Sequence, residues 1–201
     1  YSQQLIVKDA QLWSPKNPNL YQLVSEVYLE GKLIEQKQTR IGLRNFEFNA
    51  KHQLLINGKV TFLRGINRHQ EYPHVGYATS HQADYRDAVK IKSAGFDYVR
   101  LSHYPHSKAF MDAADELGLV LIDAILGWQY FADTPEFKAQ VLRTCHDLIR
   151  RDRNHASVLA WECSLNESRM PESFVSQLNE VVHQEDPTRL SAGWLPEFDE
   201  G

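Results

Sequence analysis

FDYVRLSHYPHSKAFMDAADELGLVLID, residues 96–123, carries the clearest fold signal in the chain. Residues 96–102 are typical of a strand; Ser107 can then cap a helix, and Gly118 can end it. Four apolar side chains share one face of that helix: Phe110, Met111, Ala114 and Leu117. Residues 119–123 form a short strand, apolar enough to be covered on both faces. The stretch therefore predicts one strand–helix–strand unit of a parallel sheet.

The same alternation continues on both sides of this unit. Further strands are predicted at residues 60–66, at 157–163 and from 189 onward, and further helices after Ser80, from Thr134-Pro135 and from Pro171. The periodicity alone leaves a doubly wound sheet and a (β/α)₈ barrel open. No GxGxxG or GxxxxGK[ST] motif follows the first strand, and polar clusters follow every strand. These features favour the first half, about strands 1–5, of an α/β (β/α)₈ TIM barrel.

The first 47 residues have a different pattern. Two alternating runs in YQLVSEVYLEGKLIEQKQTRIGLRNFEF meet at Glu30-Gly31, which predicts a β-hairpin from an all-β domain. A second hairpin is predicted in LLINGKVTFLRGI, where Asn57-Gly58 suits a tight turn.

Composition excludes some classes of protein. A net charge of -4 gives no basic field for nucleic acid, and no apolar run approaches the roughly 18 residues of a membrane span. The two cysteines, Cys145 and Cys163, lie in apolar patterns without metal-ligand spacing, which predicts buried free thiols and leaves the compartment open.

Polar and aromatic side chains follow each predicted barrel strand, at the rim where barrel active sites lie. Asn67-Arg68-His69 follows the first strand, and the others contribute a further set: Arg100, His103, Trp128, Asn166 and Glu167. Amide, imidazole and guanidinium groups suit sugar hydroxyls, an indole suits a sugar ring, and a glutamate suits proton transfer. The combination predicts a carbohydrate site, and no GxSxG elbow or Cys/His pair points to acyl transfer.

Simpler interpretations stay open for several of these residues. Arg100 can merely neutralise a carboxylate inside the barrel, and Trp128 can merely fill a core. Four histidines could form a metal cluster, although no HExxH spacing supports one: His69, His74, His103 and His106. His74 and His106 are predicted to be ordinary loop residues.

Two glutamates lie in SVLAWECSLNES, residues 157–168. Alternation places Leu159, Trp161 and Cys163 toward the helices and leaves Glu162 pointing into the barrel, where Arg64 or Arg100 could pair with it. Glu167 follows the strand, at the rim. Glu162 is therefore predicted to be structural and Glu167 catalytic.

Five motifs together resemble family 2 glycoside hydrolases, the β-galactosidase and β-glucuronidase group: RGINRH, YVRLSHYP, DELGLVLID, RRDRNHASVLAW and SLNES. The resemblance implies that residues 1–47 are the last strands of an immunoglobulin-like sandwich and residues 48–201 the first half of a TIM barrel. It also implies a retaining mechanism on terminal β-glycosides, with Glu167 as general acid/base and Asn166 on the sugar 2-hydroxyl. Arg100 would keep the nucleophile ionised, and His69 and His103 would contact the substrate.

The resemblance also implies what the chain lacks. The family's nucleophile is a glutamate ending strand seven, and Glu197 and Glu200 come too early to be that residue. The chain is thus expected to be an inactive fragment that needs the rest of its parent chain, with exposed strand edges that favour aggregation or association, including homo-oligomers. The segment IDAILGWQYFAD lacks the glutamate and histidine that bind magnesium in many β-galactosidases, so no metal or other cofactor is expected.

β-Galactosides are the first expected substrates, ahead of β-glucuronides and β-mannosides. Two alternatives from other classes remain: an inactive carbohydrate-binding or scaffolding relative, and a metal-dependent barrel hydrolase.

Overall fold

The structure is a computed structural model that describes residues 3–193 of the 201-residue chain. It begins with an antiparallel hairpin of strands β1 (Tyr21–Leu29) and β2 (Lys32–Ile41). Glu30 and Gly31 form the turn, both at positive φ (49° and 77°). The hairpin predicted at this dipeptide is confirmed.

A small antiparallel sheet follows, in the order β3 (Phe46–Phe48), β4 (Leu54–Ile56) and β5 (Lys59–Val60). Asn57 and Gly58 connect β4 to β5 at φ of 53° and 75°, the left-handed pair that a tight hairpin turn requires. The second predicted hairpin is therefore also confirmed.

The main body is a parallel sheet of five strands connected by helices. The strands are β6 (Gly65–Arg68), β7 (Tyr98–Leu101), β8 (Val120–Ala124), β9 (Val158–Glu162) and β10 (Leu190–Ala192). The connecting helices are α1 (His81–Ser93), α2 (Lys108–Leu117), α3 (Pro135–Asp152) and α4 (Glu172–Glu185). Neighbouring strands follow one another in chain order from β6 to β10. A doubly wound sheet reverses its order at a switch point, so this singly wound order confirms the preference for a barrel.

Local capping signals explain where the helices start and stop. The hydroxyls of Ser80, Ser107 and Thr134 accept hydrogen bonds from backbone N–H groups three residues further on, as N-caps do. Gly118 ends α2 at φ 73°, a left-handed conformation that suits glycine. Within residues 3–193, no helix combines the length and the apolarity needed to cross a membrane.

The first barrel strand differs from the prediction. It covers Gly65–Arg68 rather than residues 60–66, because Lys59 and Val60 pair backward with β4. A Cβ at Gly65 would lie 2.2 Å from the ring and the carbonyl oxygen of Tyr98, so the missing side chain allows β6 to approach β7. The later start also places Arg68 inside the strand instead of the loop after it. There it is buried against α1, with Nη2 3.0 Å from Asp84 Oδ1.

The core lies between the parallel sheet and its helices, and a second cluster fills the opposite face of the sheet near Trp13. Val158, Trp161 and Cys163 belong to the helix-facing core, as alternation predicts for Trp161 and Cys163. Leu159 was predicted to face the helices but lies in the second cluster. The pairing of β8 with β9 is irregular here, since Leu121 aligns with Val158 and Ile122 with Ala160. The unpaired extra residue of this β-bulge is Leu159.

A disulfide bond joins Cys145 of α3 to Cys163 at the end of β9, with 5.6 Å between the Cα atoms. Both residues are buried, as expected, but the prediction of free thiols was wrong. The apolar face of α3 packs on the helix-facing side of β9, and each of those two faces carries one cysteine. The bond ties the strand that leads to Asn166 and Glu167 to the helix behind it.

Removing this disulfide should destabilise the barrel. For a loop closed over 18 residues, the chain-entropy estimate is about 3 kcal/mol of unfolding free energy. We expect a Cys145→Ala/Cys163→Ala variant of the full-length protein to lose about this amount in urea titrations. The wild type titrated with a strong thiol reductant should lose a similar amount. Titrations of the wild type that coincide with and without reductant would contradict the expectation.

Asp186, which directly follows α4, holds the loop between α4 and β10 against β9. Its carboxylate accepts hydrogen bonds from Trp161 Nε1 at 3.0 Å and from the Thr188 backbone N–H at 3.0 Å, and it pairs with Arg189 Nη1 at 2.5 Å. Burial raises the pKa of Asp186, but the bonds from Thr188 and Arg189 outweigh it and lower the pKa to about 2.

This depressed pKa predicts acid sensitivity. Because the folded protein holds the carboxylate ionised below its unfolded pKa of about 3.9, the stabilisation is complete above about pH 4 and is lost toward pH 2. We expect Asp186 to account for about 2 kcal/mol of that loss. The Asp186→Asn variant should be less stable at neutral pH and lose correspondingly less on acidification, measured as urea midpoints at several pH values. Equal acid losses in variant and wild type would exclude this role.

Candidate active site

The carboxyl ends of four parallel strands bring most of the predicted site residues to one rim. His69 follows β6, His103 follows β7, Trp128 lies in the loop after β8, and Asn166-Glu167 follows β9. Arg100 lies within β7. Of the residues that the sequence grouped at this rim, Asn67 and Arg68 instead belong to β6 itself.

Arg100 links two side chains of the β9 segment. Its Nε donates to Glu162 Oε2 at 2.8 Å and its Nη2 donates to the other oxygen of Glu162, a bidentate pair. Nη2 also donates to Asn166 Oδ1 at 3.0 Å. The bond to Glu162 raises the pKa of Arg100 further, so the guanidinium stays charged. Of the two arginines considered for Glu162, Arg100 is the partner.

A small residue on β8 makes this pairing across the strand possible. In the register of the sheet, Arg100 aligns with Ile122, and Glu162 aligns with Ala124. The methyl side chain of Ala124 leaves space over β8, so Arg100 can reach Glu162 two strands away. The Asn166 amide oxygen is occupied by Arg100, which leaves its N–H₂ group to donate to another molecule.

The loop after β8 and the loop after β9 are bonded to each other. Trp128 and Asn166 form a parallel β-bridge, flanked by bonds from the Asn166 N–H to the Gly127 carbonyl (3.1 Å) and from the Gln129 N–H to the Asn166 carbonyl (2.8 Å). Ser168 Oγ accepts from the Tyr130 N–H at 3.1 Å. The exposed Glu167 therefore rests on a fixed backbone.

Aromatic rings form a wall on the β6 and β7 side of the rim. His69 and His103 meet edge to face with centroids 5.6 Å apart, and Tyr104 lies 5.9 Å from His69 and 6.2 Å from Trp128. Burial, with help from the charge of Arg100, lowers the pKa of His103. A neutral imidazole there can both donate and accept hydrogen bonds, as sugar hydroxyls require. Trp128 is 43% exposed, so it is not simply a core residue.

The four histidines do not gather as a metal cluster would. His106 is buried behind Tyr104, stacked on its ring, with Nδ1 3.0 Å from the Tyr104 carbonyl oxygen; it is not an ordinary loop residue. Burial lowers the pKa of His106 to about 4. Among residues 3–193, the group whose possible ligand atoms lie within 4.8 Å of one another is Asp112, Asp115 and His155. That group lies at the other end of the barrel, where Asp115 already binds His155 and the Ser157 N–H.

Two residues at the rim received no role from the sequence. Tyr104 is buried in the aromatic wall, where its hydroxyl accepts from the Gln70 N–H at 2.7 Å. Gln129 donates from Nε2 to Glu167 Oε2 at 2.7 Å. Both are adjacent to predicted site residues, but a contact between two different loops leaves no periodic signal in the sequence.

Family models match both parts of the chain. One described as "Glycosyl hydrolases family 2, TIM barrel domain" matches residues 48–192, and one described as "Glycosyl hydrolases family 2" matches residues 1–44.

Individual relatives agree with these matches. The beta-galactosidase of Thermoanaerobacterium thermosulfurigenes is 37% identical over 188 residues, covering 93% of this chain and 26% of that protein. The crystal structure of an FMN-binding beta-glucuronidase from Facaelibacterium prausnitzii L2-6 superposes with a TM-score of 0.87 at 31% identity, covering 93% of this chain and 30% of that one. A glycosyl hydrolase family 2 member from Bacteroides cellulosilyticus gives 0.82 at 33% identity, covering 92% and 25%. The chain thus spans between a quarter and a third of the length of these relatives.

Proposed function

The chain belongs to glycosyl hydrolase family 2, and on that premise we propose that the full-length protein hydrolyses terminal β-glycosidic bonds with retention of configuration. Glu167 is the general acid/base, and Asn166 binds the hydroxyl next to the reacting carbon. The observation that carries the proposal is the convergence of Glu167, Asn166 and Arg100 beside an aromatic wall at one barrel rim.

The chemistry of a retaining enzyme assigns each side chain a step. Glu167 gives its proton to the leaving oxygen while a second carboxylate attacks the sugar, and it then takes a proton from the water that releases the sugar. Exposure at the rim suits this role, because Glu167 must reach solvent water. Glu162 suits a structural role, since it is buried and held in a bidentate pair by Arg100.

The second carboxylate is proposed to come from a later barrel strand in the full-length protein. Glu197 and Glu200, which precede the expected position of that strand, lie outside the described residues. We also propose that residues 1–47 end an immunoglobulin-like domain and that residues 48–201 begin the barrel. The β1–β2 hairpin and the singly wound sheet support this division.

β-Galactosides are the first substrates to test, followed by β-glucuronides and β-mannosides, and similarity to both a beta-galactosidase and a beta-glucuronidase supports this panel. We expect the full-length protein to hydrolyse at least one nitrophenyl β-glycoside of the panel, with the β-anomer of the sugar appearing first in a proton NMR time course. Binding of a sugar without hydrolysis of any glycoside would favour an inactive carbohydrate-binding relative. Loss of activity with a chelator would favour a metal-dependent hydrolase.

A further inference from the structure

Gln129 contacts the segment that carries the proposed acid/base through both its backbone and its side chain. Its backbone N–H donates to the Asn166 carbonyl at 2.8 Å, and its side-chain Nε2 donates to Glu167 Oε2 at 2.7 Å. Both contacts join the loop after β8 to the loop after β9.

The backbone of both residues is in an uncommon conformation. Gln129 has φ 56° and Glu167 has φ 51°, the left-handed region that residues other than glycine seldom adopt. Such conformations persist when the surroundings fix them, and they are enriched at functional sites. Here the Trp128–Asn166 bridge and the Ser168–Tyr130 bond hold the two loops on either side of the pair. The stem of Gln129 is therefore fixed although its side chain lies at the surface.

The direction of the side-chain bond distinguishes the two oxygens of Glu167. An amide nitrogen only donates, so Glu167 Oε2 must be the acceptor. A protonated carboxyl group carries one hydrogen, which leaves Oε1 as the oxygen that bears it. Without this bond, an exposed glutamate would sample several rotamers, and few of them would direct Oε1 at the substrate.

We propose that Gln129 is a positioning residue that holds Glu167 through Oε2, so that Oε1 is the oxygen that exchanges the catalytic proton; this rests on the function proposed above. In the first step the Oε1–H bond breaks and the proton joins the leaving oxygen as the glycosidic bond breaks. In the second step Oε1 takes a proton from the attacking water. Gln129 exchanges no proton and keeps its bond to Oε2 throughout.

The test compares substrates that need an acid with substrates that do not. Phenolate is a poor leaving group, so a phenyl glycoside requires protonation of its leaving oxygen. Dinitrophenolate leaves without protonation. In the full-length protein, we expect Gln129→Met to lower kcat/KM about tenfold on the phenyl glycoside and less than about twofold on the dinitrophenyl glycoside. Gln129→Glu places an acceptor against Oε2. It should lower kcat/KM on the phenyl glycoside more than Gln129→Met does. Gln140→Met, at an exposed position of α3, is the matched control and should match wild type on both.

Each result decides the proposal. Equal losses of Gln129→Met on both substrates would indicate a purely structural role, and unchanged kinetics would indicate no role; either would overturn the positioning of Glu167. The proposed function would still stand after either of these two results, provided that wild type is active and Glu167→Gln is impaired on the phenyl glycoside. A wild type inactive on every glycoside would overturn both.

Discussion

Full-length protein carrying Glu167→Gln is expected to hydrolyse phenyl β-glycosides roughly 10³-fold more slowly than wild type, because general acid catalysis typically contributes 10²- to 10⁴-fold. The amide keeps the size of the side chain but cannot supply a proton. On the dinitrophenyl glycoside, the rate of the first step should fall much less, since the leaving group needs no protonation. Steady-state kinetics on the two substrates measure this difference.

The control for this variant lies in the helix that follows. Glu172→Gln changes an exposed glutamate in the first turn of α4 and should leave both rates near wild type. Added azide, which attacks the glycosyl-enzyme without base assistance, should accelerate the Glu167→Gln variant on the dinitrophenyl substrate. Wild-type rates for Glu167→Gln on the phenyl substrate would refute the assignment of Glu167.

Arg100→Met is expected to cost about 3 kcal/mol of unfolding free energy, since breaking a buried ion pair leaves an uncompensated charge. Glu162 is the charge left behind, with its side chain 8% exposed. The variant should also lower kcat/KM about 100-fold, because Asn166 loses the donor that orients its amide. Urea titration and nitrophenyl kinetics measure the two effects.

A double replacement separates stability from function. In Arg100→Met/Glu162→Met no buried charge is left unpaired, so most of the stability should return. Activity should not return, because Asn166 still lacks its donor. A double variant as unstable as Arg100→Met would show that the ion pair is not the cause, and recovery of activity would show that Arg100 does not position Asn166.

The sequence predicts those features that depend on neighbouring residues. Ser107 and Gly118 bound α2 because capping is decided within one turn of helix, and Asn57-Gly58 sets its hairpin because the turn itself requires positive φ. The inward direction of Glu162 also follows from the period of a strand, and Arg100 was one of its two expected partners.

Features that depend on packing between elements were missed. The start of β6 is set by how closely Gly65 approaches Tyr98, and the bulge at Leu159 is set by the pairing of β9 with β8. Both are invisible to alternation, which therefore placed the first strand too early and Leu159 on the wrong side. The Gln129–Glu167 contact likewise needs two loops that lie 38 residues apart in sequence.

The bond between Cys145 and Cys163 has a practical consequence for how the protein is produced. A reducing bacterial cytosol keeps thiols reduced. Protein expressed there would carry two buried free cysteines behind the segment that leads to Glu167. Expression in an oxidising host compartment should give a homogeneous, disulfide-bonded preparation. Mass spectrometry under non-reducing conditions would verify it. Specific activities from hosts of the two kinds should then differ most at elevated temperature.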